Sequence, residues 1–456
     1  MTTLRFEQAL LPDGWSSDVA VEINDNGDIA AVHPASSDGE PRPGCLLPGI
    51  ANLHSHAHQR AMAGLAERAG ASDDSFWTWR ETMYRFLDTI EPEHLEAIAA
   101  QLYVEMLKAG YTRVAEFQYL HHQSNGQQYD ELAEMSLRTL AAANAVGLGI
   151  TNLPVHYQFG GFGGQPISDQ QRRFTNDPQH FLQIVDSLMS AGADNPNVTT
   201  GIAAHSLRAV TKATFTEVLD EMSRGDLGPV HIHIAEQTKE VEDCVAWSSV
   251  RPVEYLYNHF AVNEHWCLIH ATHMTEAETT QVANSRAVVG LCPTTEGNLG
   301  DGFFNAVEYM DQNGRFGIGS DSHISISPCE ELRWYEYGQR LLHRRRNRLS
   351  GGYSRSTGRN LFECAVAGGA QACGHLSGKI EAGYRADFLV LDLDHPLLCE
   401  RNGDEIIDSW LFSGNQNTVR DVYVGGKQVI RERRHPQETV IENNFKRTLS
   451  VLRSAQ

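Results

Sequence analysis

Residues 47–58 read LPGIANLHSHAH, an apolar run that ends at His54 and is followed by further histidines. It opens a rhythm that the chain repeats. The stretch EPEHLEAIAAQLYVEMLKAG (91–110) follows, with Pro92 near its start and Gly110 just past its end, as helix punctuation predicts. Next come TRVAEFQY (112–119), a helical stretch stopped by Gly147, and LGITNLPVHY (148–157). The same alternation gives VTTGIAAH (198–205), PVHIHIAE (229–236), WCLIHATH (266–273), AVVGLCP (287–293) and RFGIGSD (315–321), each preceded by a helical stretch. Strands alternating with helices imply parallel pairing, and eight such units close a (β/α)8 TIM-type barrel. An open doubly wound sheet would carry a glycine-rich phosphate turn after its first strand. Histidines stand there instead.

Outward from the barrel the pattern changes. Residues 1–46 (RFEQALLPDGW, DVAVEINDNGDIAAV) and 377–436 (GKIEAGYRADFLVLDLD, TVRDVYVGGKQVIRER) read as short strands and turns. The expectation is a small β-sandwich assembled from both termini around a catalytic barrel at 47–376, with an amphipathic helix at 437–456. One connection, QFGGFGGQPISDQQRRF (158–174), is longer than a βα turn needs. Long loops in compact domains carry function or are disordered; at the catalytic face this one is expected to act as a lid, the alternative being a surface loop without a role.

Composition narrows the class. With 41% apolar and 21% charged residues the chain is an ordinary globular protein. No stretch has the length of a transmembrane helix, and the start lacks a signal-peptide pattern, so the expected place is the cytoplasm. The eight cysteines are scattered with no CxxC pair, which fits reduced thiols rather than a disulfide framework or a zinc ribbon. A net charge of −21 argues against nucleic acid and anionic membrane as partners. The arginines between Arg340 and Arg359 run against that charge and read as a solvated helix face or a subunit contact. The expected assembly is a homodimer.

Chemistry gathers at the strand ends. His56 and His58 follow the first strand, and alternate residues of an extended segment point the same way, so both can face one metal. His233 and Glu236 end the fifth strand, His270 the sixth and Asp321 the eighth. The C-terminal strand ends of such a barrel form its active-site face.

PGIANLHSHAH, HIHIAE, IHATH and GIGSDSH together resemble the metal signatures of the amidohydrolase superfamily, and ADFLVLD followed by VYVGGKQV resembles its C-terminal sandwich. The resemblance implies that His56, His58, His233 and Asp321 bind one divalent metal. It also makes Glu236 the proton shuttle and His270 the residue that orients the attacked group or water. Two-metal members carry a carboxylated lysine on the fourth strand, and VTTGIAAHS has none, so one metal is implied. Three histidines, a carboxylate and an open position suit Zn2+; iron and manganese accept the same ligand types. Asp321 would take a proton from the attacking water, and Glu236 would deliver one to the departing nitrogen.

Substrate choice falls to Gln59, Arg80, Tyr119, His205 and Arg208, all near strand ends or in the long first connection. Arginines at the mouth of an acidic protein suggest a small anionic substrate, because guanidinium matches carboxylate bidentately. FWTWRETMYRF, AAHSLRAV, LCPTTEGNLGDG and GSDSHISISPCEELRWYEYGQRL resemble the branch of the superfamily that hydrolyses N-formimino-L-glutamate to N-formyl-L-glutamate and ammonia in bacterial histidine degradation. The alternatives are a deaminase or chlorohydrolase acting on a purine, pyrimidine or triazine ring, and a non-catalytic scaffold. A scaffold is expected to have lost ligands, whereas all four are present. The segment CPTTEGN departs from the CPxSN wording of the ring deaminases.

Overall fold

The computed structural model describes residues 1–34, 41–67, 76–225 and 228–454. Its barrel strands are Ile50–Ser55, Tyr111–Gln118, Gly149–His156, a fourth in two pieces (Val198–Thr200 and Ile202–Ser206), Val230–Ile234, Trp266–His270, Val288–Leu291 and Arg315–Ile318. All pair in parallel. The barrel closes because the first strand pairs with the second through Ile50 and Tyr111, and with the last through Asn52 and Ile318. Most of these strands are buried along their whole length, as parallel strands covered on both faces must be. The break in the fourth strand falls at Gly201, where a Cβ would come within 2.3 Å of the Pro229 carbonyl oxygen. Only glycine lets the two chains pass so closely.

Helices between the strands form the outer layer. The helix Pro92–Ala109 starts on a proline, buries Leu95, Ile98, Leu102 and Leu107, and ends at Gly110 in the left-handed region (φ 106°). There the Gly110 N–H reaches the Leu107 carbonyl and closes the last turn.

The ends of the chain share one seven-stranded sheet in the order Lys427–Ile430, Val419–Val424, Phe388–Leu391, Arg42–Pro48, Thr2–Leu11, Gly14–Ile23, Ile29–Pro34. N- and C-terminal portions join where Arg42–Pro48 pairs antiparallel with Phe388–Leu391. The sheet curls over on itself. Phe6 and Tyr423 lie three strand steps apart, roughly 14 Å in a flat sheet, yet their ring centroids are 6.2 Å apart. Between the facing halves Phe6, Val21, Ile29, Leu46, Phe388 and Tyr423 make a core separate from the barrel's. The helix Glu438–Ser454 follows.

Arg340 pairs with Glu336 at the C-terminal end of the helix Pro328–His343, and Arg359 pairs with Glu363 and Asp404. All eight cysteines are free thiols. Among the described residues no helix is long and apolar enough to cross a membrane.

Candidate metal centre and substrate pocket

The first strand ends at Ser55, and a 3-10 helix, Ala57–Met62, begins two residues later. That boundary decides which histidines face the barrel axis. His54 and His56 keep the strand's alternation, so their rings converge with centroids 4.6 Å apart. His58 is already on the helix, where its Nε2 lies 3.0 Å from the Tyr119 hydroxyl. The structure therefore brings together His54 and His56, not the expected His56 and His58: alternation holds only while the chain is extended, and it stops before His58.

Five side chains meet at the centre. His54 Nε2 is 2.9 Å from His233 Nε2 and 3.5 Å from Asp321 Oδ1, and His56 Nε2 is 3.3 Å from the same oxygen. His54, His56 and Asp321 form one group whose ligand atoms lie within 4.8 Å of one another; His54, His233 and His270 form a second. The sharp strand ends aim them. Ala235, His270, Ala271 and Asp321 all have positive φ, a conformation that non-glycine residues keep only where the surroundings impose it.

The donor chemistry fits a cation. His56 Nδ1–H donates to the Phe117 carbonyl (2.9 Å) and His233 Nδ1–H to the His205 carbonyl (2.8 Å), so both Nε2 lone pairs point inward. Burial pushes the His54, His56 and His233 imidazoles down, which keeps them neutral and able to ligate. Bare imidazole lone pairs and a carboxylate facing one point need a positive charge between them.

His270 sits differently. Its Nδ1 is 3.2 Å from Glu296 Oε1, while its Nε2 faces Glu236 Oε1 at 3.7 Å and Asp321 Oδ2 at 3.9 Å. Burial disfavours its cation, but Glu236, Glu296 and Asp321 outweigh that and push its pKa up to about 10. Glu236 itself is pushed up to about 7, first by burial, with Asp321 adding and His270 and Arg208 opposing. Asp301, buried nearby and bonded to Gln237, is pushed to about 9 by burial and by Glu236.

The pocket above the centre is lined by His56, His233, Glu236, His270 and Asp321, and by all five residues expected to meet substrate: Gln59, Arg80, Tyr119, His205 and Arg208. Gln59 Nε2 donates to the Tyr119 hydroxyl (3.1 Å). Arg80 lies 4.5 Å from the centroid of Trp77, and Arg208 approaches the same ring at 5.9 Å. Arg208 spends one bond on Ser206 (3.3 Å), and its buried Nη1 has no partner among the described residues.

Sequence reading missed His54, Glu296 and the aromatic wall of Tyr84 and Tyr157. The glycine-rich connection supplies Gly160, Gln171 and Phe174 to the pocket. It is tied down where Gln171 donates to the Tyr157 hydroxyl (2.6 Å) and Phe162 stacks on Trp247 (5.5 Å).

Known proteins agree with this architecture. A formimidoylglutamate deiminase of Pseudomonas aeruginosa is 52% identical over 454 residues, which is 99% of this chain and 100% of that one. A 5-methylthioadenosine/S-adenosylhomocysteine deaminase of Natronomonas pharaonis is 26% identical over 95% of this chain and 94% of the relative. Among solved structures, an amidohydrolase from Brucella melitensis superimposes with a TM-score of 0.93 at 46% identity, covering 99% of this chain and 100% of that chain. An adenosine deaminase from Xanthomonas campestris, solved with bound zinc, shares the fold with a TM-score of 0.81 at 22% identity, covering 99% and 98%. The amidohydrolase family matches residues 45–429, and with its clustered histidines and aspartate at the barrel mouth the chain belongs to that metal-dependent family.

Proposed function

We propose that this chain is a formimidoylglutamate deiminase, hydrolysing N-formimino-L-glutamate to N-formyl-L-glutamate and ammonia. The observation that carries the substrate is Arg208, a part-buried arginine that lines the pocket and whose buried Nη1 has no partner among the described residues. A buried N–H donor without an acceptor is costly, and a substrate carboxylate supplies the acceptor. Arg80, whose guanidinium lies over the same Trp77 ring that Arg208 approaches, is the candidate for the second carboxylate. The relative at 52% identity bears the same activity in its name.

In this reading His54, His56, His233 and Asp321 would hold one divalent ion, for which Zn2+ suits the donor set. Such an ion supplies Lewis acidity, lowering the pKa of water and polarising the carbon under attack. Asp321 accepts the proton of the attacking water. Water oxygen bonds to the formimino carbon while the terminal imino nitrogen takes the proton of Glu236; that nitrogen then takes the proton Asp321 had accepted, the remaining hydroxyl proton returns to Glu236 as the carbonyl forms, and the carbon–nitrogen bond breaks to release ammonia. A carboxyl group pushed up to about 7 can both hold and release that proton near neutrality. Glu296 fixes the His270 ring so that its Nε2 faces the reacting side. Gln59, Tyr119 and His205 complete the contact surface.

The test is ammonia release by metal-loaded protein offered formiminoglutamate, guanine, cytosine and S-adenosylhomocysteine. Formiminoglutamate should be preferred, and a preference for a neutral ring overturns the reading. Arg208→Met should lower kcat/KM on formiminoglutamate roughly tenfold to a hundredfold or more, the worth of a charge-assisted contact of roughly 1.5–3 kcal/mol. Metal content should not change, and much of the loss should appear in KM. Normal turnover by this variant would remove Arg208 from the binding site.

A further inference from the structure

Glu116 lies on the second barrel strand, facing the turn that carries His54 and His56, and no step above uses it. It is almost fully buried. Its carboxylate accepts three hydrogen bonds: from Ser55 Oγ (2.6 Å), from the Ala57 N–H (2.7 Å) and from the Tyr103 hydroxyl (3.0 Å). The first two donors bracket His56, and Ser55 separates it from His54. The bonds therefore grip the backbone where strand gives way to 3-10 helix.

The grip continues to the turn after the neighbouring eighth strand. His323 Nε2 accepts the His56 N–H (3.2 Å) and lies 3.3 Å from Ser55 Oγ. Its Nδ1–H donates to Ser320 Oγ (2.9 Å), which also accepts from Asn52 Nδ2 (2.6 Å). Asn52 Oδ1 in turn accepts the Ser320 N–H (3.0 Å). Ser320 precedes Asp321 directly and His323 follows it by two residues. Every member is buried. The result is a continuous polar belt behind the ligands of the first and eighth strands, ending at Glu116.

We propose that Glu116 is a positioning residue for the metal centre, anchoring a buried hydrogen-bonded belt (Ser55, His323, Ser320, Asn52) that sets the directions of His54, His56 and Asp321. The physical case is one of cost. A buried carboxylate served only by hydrogen-bond donors, with no cation among the groups acting on it, is expensive to keep. An apolar residue would fill a barrel strand more cheaply. The belt recovers that cost by holding the strand-to-helix turn in the register that brings His54 and His56 together. Groups that orient ligands from behind typically contribute 10–100-fold in metal affinity.

This inference rests on the metal-centre reading, so the experiment separates the two. Wild-type, Glu116→Gln and Ser55→Ala proteins are stripped with chelator, and their zinc affinity is measured by competition with a chromophoric chelator. The visible spectrum of each Co2+-substituted form is recorded alongside. Glutamine offers a single acceptor oxygen to three donors, so Glu116→Gln should weaken zinc roughly 10–100-fold and shift the Co2+ bands. Ser55→Ala should move both in the same direction, and it carries the test if Glu116→Gln does not fold. A residue that merely stabilised the fold would lower the melting temperature of the metal-free protein without altering zinc affinity or the Co2+ spectrum. That outcome, with tight binding by wild type, overturns the belt alone. Wild-type protein that takes up no zinc overturns the metal centre, and this inference with it.

Discussion

His54→Ala should leave the purified protein without tightly bound metal and without measurable turnover, whereas His58→Ala should keep its metal. The two residues lie four apart in one run of three histidines, so the contrast isolates geometry from composition. His54 Nε2 stands between His233 and Asp321; removing it deletes a ligand from the centre of the cluster. The affinity loss should exceed the roughly 10–100-fold typical of an outer partner. His58 touches the Tyr119 hydroxyl instead, so its loss should act on the substrate wall, chiefly through KM. Metal content by atomic emission, read beside kcat and KM, decides between them. Full metal occupancy in His54→Ala, or an empty site in His58→Ala, would return the pair to His56 and His58.

The second large effect belongs to Glu236. Glu236→Gln should lower kcat by roughly 10²–10⁴-fold, the usual contribution of a positioned acid or base, while metal content stays at the wild-type level. Glutamine preserves size and one acceptor oxygen but cannot carry the proton that ammonia needs. His270, 3.7 Å away, stays anchored to Glu296 and cannot swing across to replace it. Loss of metal in Glu236→Gln would make this residue a ligand. Near-normal kcat would pass the proton to another group, and the buried carboxyl of Asp301 is the first to examine.

Much of this was legible before any coordinates. Eight apolar runs separated by amphipathic stretches announce parallel strands, because each strand is covered on both faces and each crossover helix on one. The arginines were legible from contrast, standing at strand ends in an acidic chain. The ligand pair was not, because His54, Ser55, His56, Ala57 and His58 contain two overlapping HxH pairs. What chooses between them is where extension stops, and that point is held by Glu116 from the second strand and His323 from the eighth. Such distant partners leave no mark in the local run. Glu116 did leave one: an acid inside the apolar strand TRVAEFQY is rarely buried without a role. Glu296 announced itself only as the departure in CPTTEGN. Tyr84 and Tyr157 could not be told from ordinary core aromatics, because their part in the pocket depends on how the first and third connections fold back.

The curled sheet built from both termini has a consequence for synthesis. Strands from Thr2 to Pro48 emerge before the barrel, but Phe388–Leu391, which pairs with the edge of Arg42–Pro48, is made only after the whole barrel. At typical elongation rates that interval is on the order of tens of seconds. During it a row of unpaired amides and carbonyls has no native partner and is open to pairing with other nascent chains. The barrel can meanwhile close around its own core, since none of its eight strands waits for the C-terminal segment. The barrel can thus close before the sheet is complete, and the strands from Phe388 onward act as a clasp on those from Thr2 to Pro48.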